Sequence, residues 1–155
     1  MKKSLLYILI LFFFTNCGFQ PIYSKKNLAV YDFSLNDLIF KGDRKINIKL
    51  KQKLFNYKNE KKSKIFDLTI ISDSTKTVSA RDAKGDPSIF QLEIKILINI
   101  TDQKGEKFDP LNFNEKFKYK NNTDKILLKD YEDQIRKSLA ETVAGELILN
   151  LAKIQ

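Results

Sequence analysis

The 155-residue sequence contains no histidine, no tryptophan and a single cysteine, Cys17. Without histidine the chain cannot build a Ser-His or Cys-His nucleophile, nor the metal sites that histidine and cysteine form at fixed spacing. Its five glycines form no phosphate-binding loop. Acidic pairs such as Glu132 with Asp133 fall within helical charge patterns and fit a solvated helix face. We therefore expect a protein that is not an enzyme and that carries neither a metal nor a cofactor.

Acidic residues are also scarce relative to basic ones, with 19 Asp and Glu against 28 Lys and Arg and a net charge of +9. The basic set consists of 25 lysines and only 3 arginines. Specific DNA contacts favour the planar arginine fork. Lysine, isoleucine and asparagine, all abundant here, share A/T-rich codons, so nucleotide bias explains much of the lysine excess. We expect no nucleic-acid partner.

The longest apolar run has ten residues, from Leu5 to Phe14, whereas a membrane-spanning helix needs about 20. A short span, a cleaved export signal and a buried strand are the three readings of such a run. Lys2 and Lys3 precede it and a short polar exit follows it, which is typical of a secretory signal. We predict that residues 1–16 are a signal peptide. Removing them leaves 139 residues with 26 basic against 19 acidic side chains, enough for one compact domain.

Cys17 follows the apolar run directly and cannot form an internal disulfide, because the chain has no second cysteine. Its position resembles the lipidated cysteine of bacterial lipoproteins, whose thiol carries a diacylglycerol and whose new amino terminus is acylated. Gly18 stands where retention in the inner membrane usually requires aspartate, so the resemblance implies the outer membrane. Several acyl chains would anchor residues 17–155 stably. A free thiol in a cleaved, soluble protein is the alternative.

Alternating apolar residues predict four strands, over residues 30–41, 64–80, 88–101 and 113–119. The third is the clearest, because every even-numbered residue from Phe90 to Ile100 is apolar and most odd-numbered ones are polar. One dry face and one wet face are typical of an antiparallel sheet covered on one side. The segment from Arg81 to Pro87 predicts a hairpin loop, with Gly85 and Pro87 as turn residues.

Residues 43–57 fit two secondary structures. The alternation of apolar residues from Ile46 to Leu50 suits a strand, whereas their recurrence every four residues as far as Leu54 suits a helix. The lysine, glutamine and leucine content favours the helix, and Asp43 is well placed as its N-cap. We predict a helix here, followed by a polar connector.

The chain ends in a second, longer helix, which Asp124 caps and whose apolar stripe runs from Ile126 to Ile154. The charged residues that we predict on its outer, polar side are Glu132, Asp133, Arg136, Lys137 and Glu141. We interpret the stripe as core packing. A role against a partner helix or a membrane surface is the alternative.

Together these elements follow the order β-α-β-β-β-α. A sheet with one apolar face requires a cover, and two amphipathic helices supply it. We predict an α+β fold, a two-layer sandwich in which two helices cover one face of a four-stranded, mostly antiparallel sheet.

Three stretches resemble the LptE family of lipopolysaccharide-assembly lipoproteins: "CGFQPIY" from Cys17, "GDRKINIKLKQKL" from Gly42 and "SIFQLEI" from Ser88. The resemblance covers the whole chain after the signal peptide. It implies a lipoprotein that faces the periplasm and plugs an LptD-like outer-membrane β-barrel. It also implies that the protein binds lipopolysaccharide and assists its insertion into the outer leaflet.

The same resemblance implies a lipid-contact site in the loop between the second and third strands, where Arg81 and Lys84 would engage the phosphates of lipopolysaccharide. A solvated turn without a ligand is the alternative for these two residues. For the whole protein, the alternative is a periplasm-facing ligand-binding or scaffold lipoprotein unrelated to lipopolysaccharide.

Overall fold

The computed structural model of the protein describes residues 31–58 and 61–154. The predicted signal peptide and Cys17 lie outside the described residues, so both stay predictions. The elements are β1 (Phe33–Gly42), α1 (Arg44–Leu54), a 3-10 turn (Phe55–Tyr57), β2 (Lys64–Arg81), β3 (Pro87–Asp102), β4 (Leu111–Lys120) and α2 (Lys125–Lys153). This order confirms the predicted α+β fold. Neither helix in this part of the chain has the length and apolar character of a membrane span.

The four strands form one sheet in their order along the chain. β1 pairs with β2 in parallel, and α1 makes the crossover between them. β2, β3 and β4 pair antiparallel, and the β2–β3 hairpin extends from the pair Phe66–Asp102 to the pair Arg81–Pro87. The prediction of a mostly antiparallel sheet is therefore confirmed. Pro87 is the first residue of β3 rather than a turn residue, a place where its missing N–H is tolerated.

The core lies between the sheet and the two helices. Along β3 the even-numbered residues point into it and their neighbours do not, as the alternation predicted; the fully buried ones are Leu92, Ile94, Ile96, Ile98 and Ile100. The other face of the sheet carries mainly polar side chains, among them Thr69 and Asn99, which pair across β2 and β3. Both helices thus pack on one face and leave the other open.

A β-bulge interrupts the alternation in β1. Leu35 pairs with Phe66 but Leu38 pairs with Leu68, so one extra residue lies in β1 between these pairs. As a result, odd-numbered residues face the core before the bulge and even-numbered ones after it. Ile39, which is in phase with Leu35 in the sequence, points to solvent with 47% of its surface exposed.

The corner between β1 and α1 is fixed by hydrogen bonds. Gly42 adopts a positive φ of 92°. Asp43 then caps α1, because its carboxylate accepts the backbone N–H groups of Lys45 and Ile46. The backbone N–H of Asp43 donates to the carbonyl oxygen of Ser72 in β2, at 3.0 Å. The predicted N-cap is confirmed, and the corner joins β1, β2 and α1.

α2 begins as predicted at the cap Asp124, whose carboxylate accepts the N–H groups of Ile126 and Leu127. One of the predicted outer charges is misplaced. Glu132 is buried, with 8% of its surface exposed. Arg136 is half-buried and pairs with Asp133, three residues earlier on the same helix. Glu132 can lie on the buried side of α2 because its carboxylate accepts hydrogen bonds from polar side chains of the sheet.

The two helices also contact each other through ion pairs. Lys45 Nζ of α1 lies 2.5 Å from Asp133 Oδ1 of α2, and Lys49 and Lys53 both pair with Glu141. Burial raises the pKa of Asp133, but the hydrogen bond and charge of Lys45 outweigh it and hold that pKa below its usual range. Both acidic partners in these pairs, Asp133 and Glu141, belong to α2. The other two cations of α1, Arg44 and Lys51, take no part in these pairs.

Candidate ligand-binding surface at the hairpin end

The loop that joins β2 to β3 is a compact turn built around Asp82. The Asp82 carboxylate accepts the backbone N–H groups of Lys84 and Asp86, each at 2.9 Å. The backbone closes the loop through Asp82 N to Asp86 O at 2.8 Å and Gly85 N to Asp82 O at 3.0 Å. Gly85 takes a positive φ of 88°, which glycine adopts without steric cost. The predicted hairpin is confirmed.

The two residues predicted to contact lipid differ in their environments. Arg81 Nη1 donates to the carbonyl oxygen of Gly85 at 2.7 Å, so this guanidinium also braces the loop. Lys84 is exposed, and its ammonium group forms no ion pair among the described residues. The acidic side chains of Asp82 and Asp86 balance these two cations, which makes the loop by itself electrically neutral.

A nearly identical turn joins β3 to the segment before β4. Asp102 accepts the N–H groups of Lys104 and Glu106 at 2.9 and 2.8 Å, and Gly105 has a φ of 83°. This second turn lies at the opposite end of the 16-residue strand β3, about 50 Å away. Among the described residues, no side chain braces this second turn as Arg81 braces the first. Because the two turns share one backbone design, the turn alone is a structural device, and any binding must depend on what surrounds it.

At the hairpin end the loop lies beside the connection from β4 to α2. The backbone N–H of Asn121 donates to Ser88 O at 2.9 Å, and its side-chain amide donates to Pro87 O at 2.7 Å. The Asn121 side-chain oxygen is buried and has no hydrogen-bond partner in the described structure. Since β4 ends next to the start of β3, the amino end of α2 is held close to the hairpin.

A groove of about 360 Å³ opens at this end; its lining residues are Tyr119, Lys120, Asn121, Asn122, Leu127, Leu128 and Tyr131. Large apolar side chains lie exposed around it. Ile126 is 75% exposed and Leu127 is 58% exposed, and Val78 and Phe117 are more than 40% exposed on the sheet. We call this region the hairpin-end surface: the loop 81–86, the groove, and these four apolar side chains. Exposed apolar side chains that cluster on a surface often mark an interaction site.

A buried polar cluster lies beneath the hairpin-end surface. Lys76 Nζ of β2 and the Tyr119 hydroxyl of β4 both donate to Glu132 Oε1 of α2, at 2.6 and 2.8 Å. Lys76 also lies 3.9 Å from the centre of the Phe90 ring. Burial, together with the Glu132 carboxylate, raises the pKa of Tyr119, so this hydroxyl stays a proton donor. The cluster fixes the first turns of α2 on the sheet.

The sequence predicted only part of this surface. It placed Arg81 and Lys84 on a loop, but it did not indicate that Asn121, between β4 and α2, contacts the start of β3 next to that loop. The apolar pattern placed Ile126 at the start of the core-facing stripe of α2, and this prediction was wrong, because Ile126 is 75% exposed.

The sequence matches no protein-family model and no curated protein. Its fold, however, matches solved structures of bacterial lipoproteins. Rare lipoprotein B from Shewanella oneidensis is 13% identical, with a TM-score of 0.57 over 76% of this chain and 94% of that one. Lipoprotein B from Nitrosomonas europaea is 12% identical, with a TM-score of 0.55 over 79% and 86% of the two chains. A minor lipoprotein from Acinetobacter baumannii is 14% identical, with a TM-score of 0.53 over 78% and 95%.

These comparisons show that the chain has the fold of small bacterial lipoproteins. The fold extends over almost the full length of each of those proteins, and the sequences have diverged so far that no residue-level correspondence follows from the match.

Proposed function

We propose that this protein is a non-catalytic outer-membrane lipoprotein, anchored through Cys17, that binds lipopolysaccharide at the hairpin-end surface and assists its delivery through a partner β-barrel. The observation that carries the proposal is the hairpin-end surface itself. It combines cations with exposed apolar side chains, and lipopolysaccharide presents phosphates next to acyl chains. The sequence resemblance to the LptE family and the lipoprotein fold support the same function.

The cations available to a phosphate are Lys84 and Lys120. Neither ammonium group forms an ion pair among the described residues, so no internal contact has to be broken before a ligand binds. Arg81 has a free edge in addition to its bond to Gly85, because a guanidinium carries five N–H donors. Ile126 and Leu127 supply apolar contact within the same region. Polar and apolar groups are therefore matched to one amphiphilic ligand.

Charge reversal at the two free lysines is expected to weaken lipopolysaccharide binding. In the double variant Lys84→Glu with Lys120→Glu, each lost ammonium–phosphate contact should reduce affinity roughly tenfold. Binding of the purified lipoprotein to immobilised lipopolysaccharide measures this. The matched control is Lys104→Glu, which makes the same substitution in the twin turn at the far end of β3 and should bind normally. Equal loss in the control, or no loss in the double variant, removes the hairpin-end surface from the proposal.

A barrel partner is expected to remain associated when native membranes are extracted with a mild detergent. The lipoprotein should then co-purify with an outer-membrane β-barrel protein, and its depletion should lower the amount of lipopolysaccharide at the cell surface. Recovery of the lipoprotein alone in every detergent, together with normal surface lipopolysaccharide after depletion, would contradict the proposal. That result would favour the second candidate, a periplasm-facing ligand-binding or scaffold lipoprotein.

A further inference from the structure

The outward side of α1 carries two large apolar residues that the core does not use. Ile46, Leu50 and Leu54 are fully buried and face the sheet. Ile48 lies on the opposite side of α1 and is 48% exposed. Phe55, the first residue of the 3-10 turn, keeps helical backbone angles (φ −59°, ψ −28°) and is 60% exposed. At 100° per residue, both point nearly directly away from the core. A helix that needs only to be solvated would carry polar side chains there.

The same side of α1 is basic. Arg44 and Lys51 flank the two apolar residues at spacings of three and four residues, and α1 contains no acidic residue. We call Arg44, Ile48, Lys51 and Phe55 the outer stripe. The other three lysines of the helix point toward α2 and pair with its carboxylates. The cations of the outer stripe have no ion-pair partner in the described structure.

We propose that the outer stripe of α1 lies on the surface of an anionic phospholipid membrane. A helix with alternating basic and large apolar residues on its exposed side is suited to the interface, where apolar groups enter the acyl boundary and cations meet lipid phosphates. A shallow hollow of about 380 Å³ between Ile48, Lys51, Gln52 and Phe55 gives the stripe a surface with apolar lining and a basic rim. Charge complementarity therefore selects an anionic lipid as its occupant.

The position of the stripe in the chain supports this proposal. Only 13 residues separate Cys17 from Tyr31, and a fully extended chain of that length spans at most about 45 Å. The Tyr31 ring lies 6.4 Å from the ring of Tyr57, in the 3-10 turn that follows α1. If Cys17 carries acyl chains, the end of α1 is therefore held within reach of the membrane surface. The inference takes from the proposed function only this lipid anchor, and it does not depend on lipopolysaccharide or on a barrel.

A single tryptophan can test the contact, because the natural chain contains none. Phe55→Trp places a fluorescent probe at an exposed position in the lipidated full-length protein. We expect its emission to shift to shorter wavelength and to be quenched by brominated phospholipid when the vesicles contain phosphatidylglycerol. Both effects should be much smaller in phosphatidylcholine alone. The control is Ile71→Trp on the open face of the sheet, also exposed, whose emission should not change.

The role of charge is tested in the same system. Neutralising Arg44→Gln and Lys51→Gln together should lower the bound-to-free ratio of the stripe about 25-fold, since each cation near an anionic surface contributes roughly a factor of five. The inference is overturned if the probe in Phe55→Trp is quenched no more than the probe in Ile71→Trp. It is also overturned if the quenching is the same with and without phosphatidylglycerol in the vesicles. An emission shift in Phe55→Trp that appears only when outer-membrane proteins are added also overturns it, in favour of a protein occupant. The intact mass of the same sample shows whether Cys17 is acylated, so failure of the anchor and failure of the stripe are distinguishable.

Discussion

Replacing Gly42 with alanine is expected to lower the free energy of unfolding by about 3 kcal/mol or more. The φ of Gly42 is 92°, a conformation that side-chain-bearing residues rarely adopt, and an added Cβ would overlap the carbonyl oxygen of Ser72. That carbonyl cannot move freely, because it accepts the backbone N–H of Asp43 at the cap of α1. Accommodating the methyl group therefore requires β1, β2 and α1 to separate at their common corner.

Gly85 and Gly105 are matched controls for this substitution. Their φ angles are 88° and 83°, close to that of Gly42, but beyond the adjoining residues no atom of the described structure lies within 4 Å of an added Cβ at either position. Gly85→Ala and Gly105→Ala should therefore cost only the backbone term, about 1–2 kcal/mol. Urea denaturation of the purified variants, followed by circular dichroism, measures all three. If Gly42→Ala lowers the free energy of unfolding no more than its controls do, the Ser72 carbonyl can move aside and the steric argument is wrong.

Much of this fold follows from the sequence because the local signals agree with the tertiary structure. In β3 the period of two continues without interruption from Phe90 to Ile100, and each apolar residue has a core neighbour. The caps Asp43 and Asp124 were predictable because a carboxylate directly before a helix satisfies its free N–H groups. These features depend only on residues close in the chain.

Other features depend on residues that are distant in the chain, and the sequence does not encode them locally. The bulge in β1 changes which residues face the core, and its position is set by pairing with β2. The parallel direction of the β1–β2 pair follows from the α1 crossover. At the hairpin end, Asn121 contacts Pro87 and Ser88, which are more than 30 residues away in the chain. The loop was therefore predictable, whereas the surface around it was not.

The two exposed surfaces of the described structure differ in a way that bears on both proposals. The hairpin-end surface combines cations with a groove, whereas the outer stripe of α1 is shallow and elongated along a helix. A groove suits a discrete amphiphile, and a flat basic stripe suits a membrane surface. The first proposal can therefore fail without affecting the second, because Lys84 and Lys51 belong to different surfaces.

Glu132 is the clearest case in which the sequence pattern misled, and it provides the second large expected effect. Its charge and its position among polar residues predicted an outer location. Instead its carboxylate accepts hydrogen bonds from Lys76 and Tyr119 inside the layer between α2 and the sheet. Glu132→Ala is expected to lower the free energy of unfolding by about 2–4 kcal/mol, because a buried hydroxyl and an ammonium group lose their acceptor. This expected loss of stability is smaller than the loss expected for a fully buried ion pair, because the Lys76 side chain is 34% exposed.

The matched control on the same helix is Glu141→Ala, which also removes a carboxylate with two lysine partners. Because that side chain is 46% exposed, its loss should cost less than about 1 kcal/mol. Replacing the cluster as a whole, by Glu132→Leu with Lys76→Met and Tyr119→Phe, should restore most of the stability, since no polar group is then left without a partner. If Glu132→Ala costs no more than Glu141→Ala, the cluster does not hold α2 on the sheet. If the triple variant is as unstable as Glu132→Ala, packing rather than the unpaired polar groups accounts for the loss.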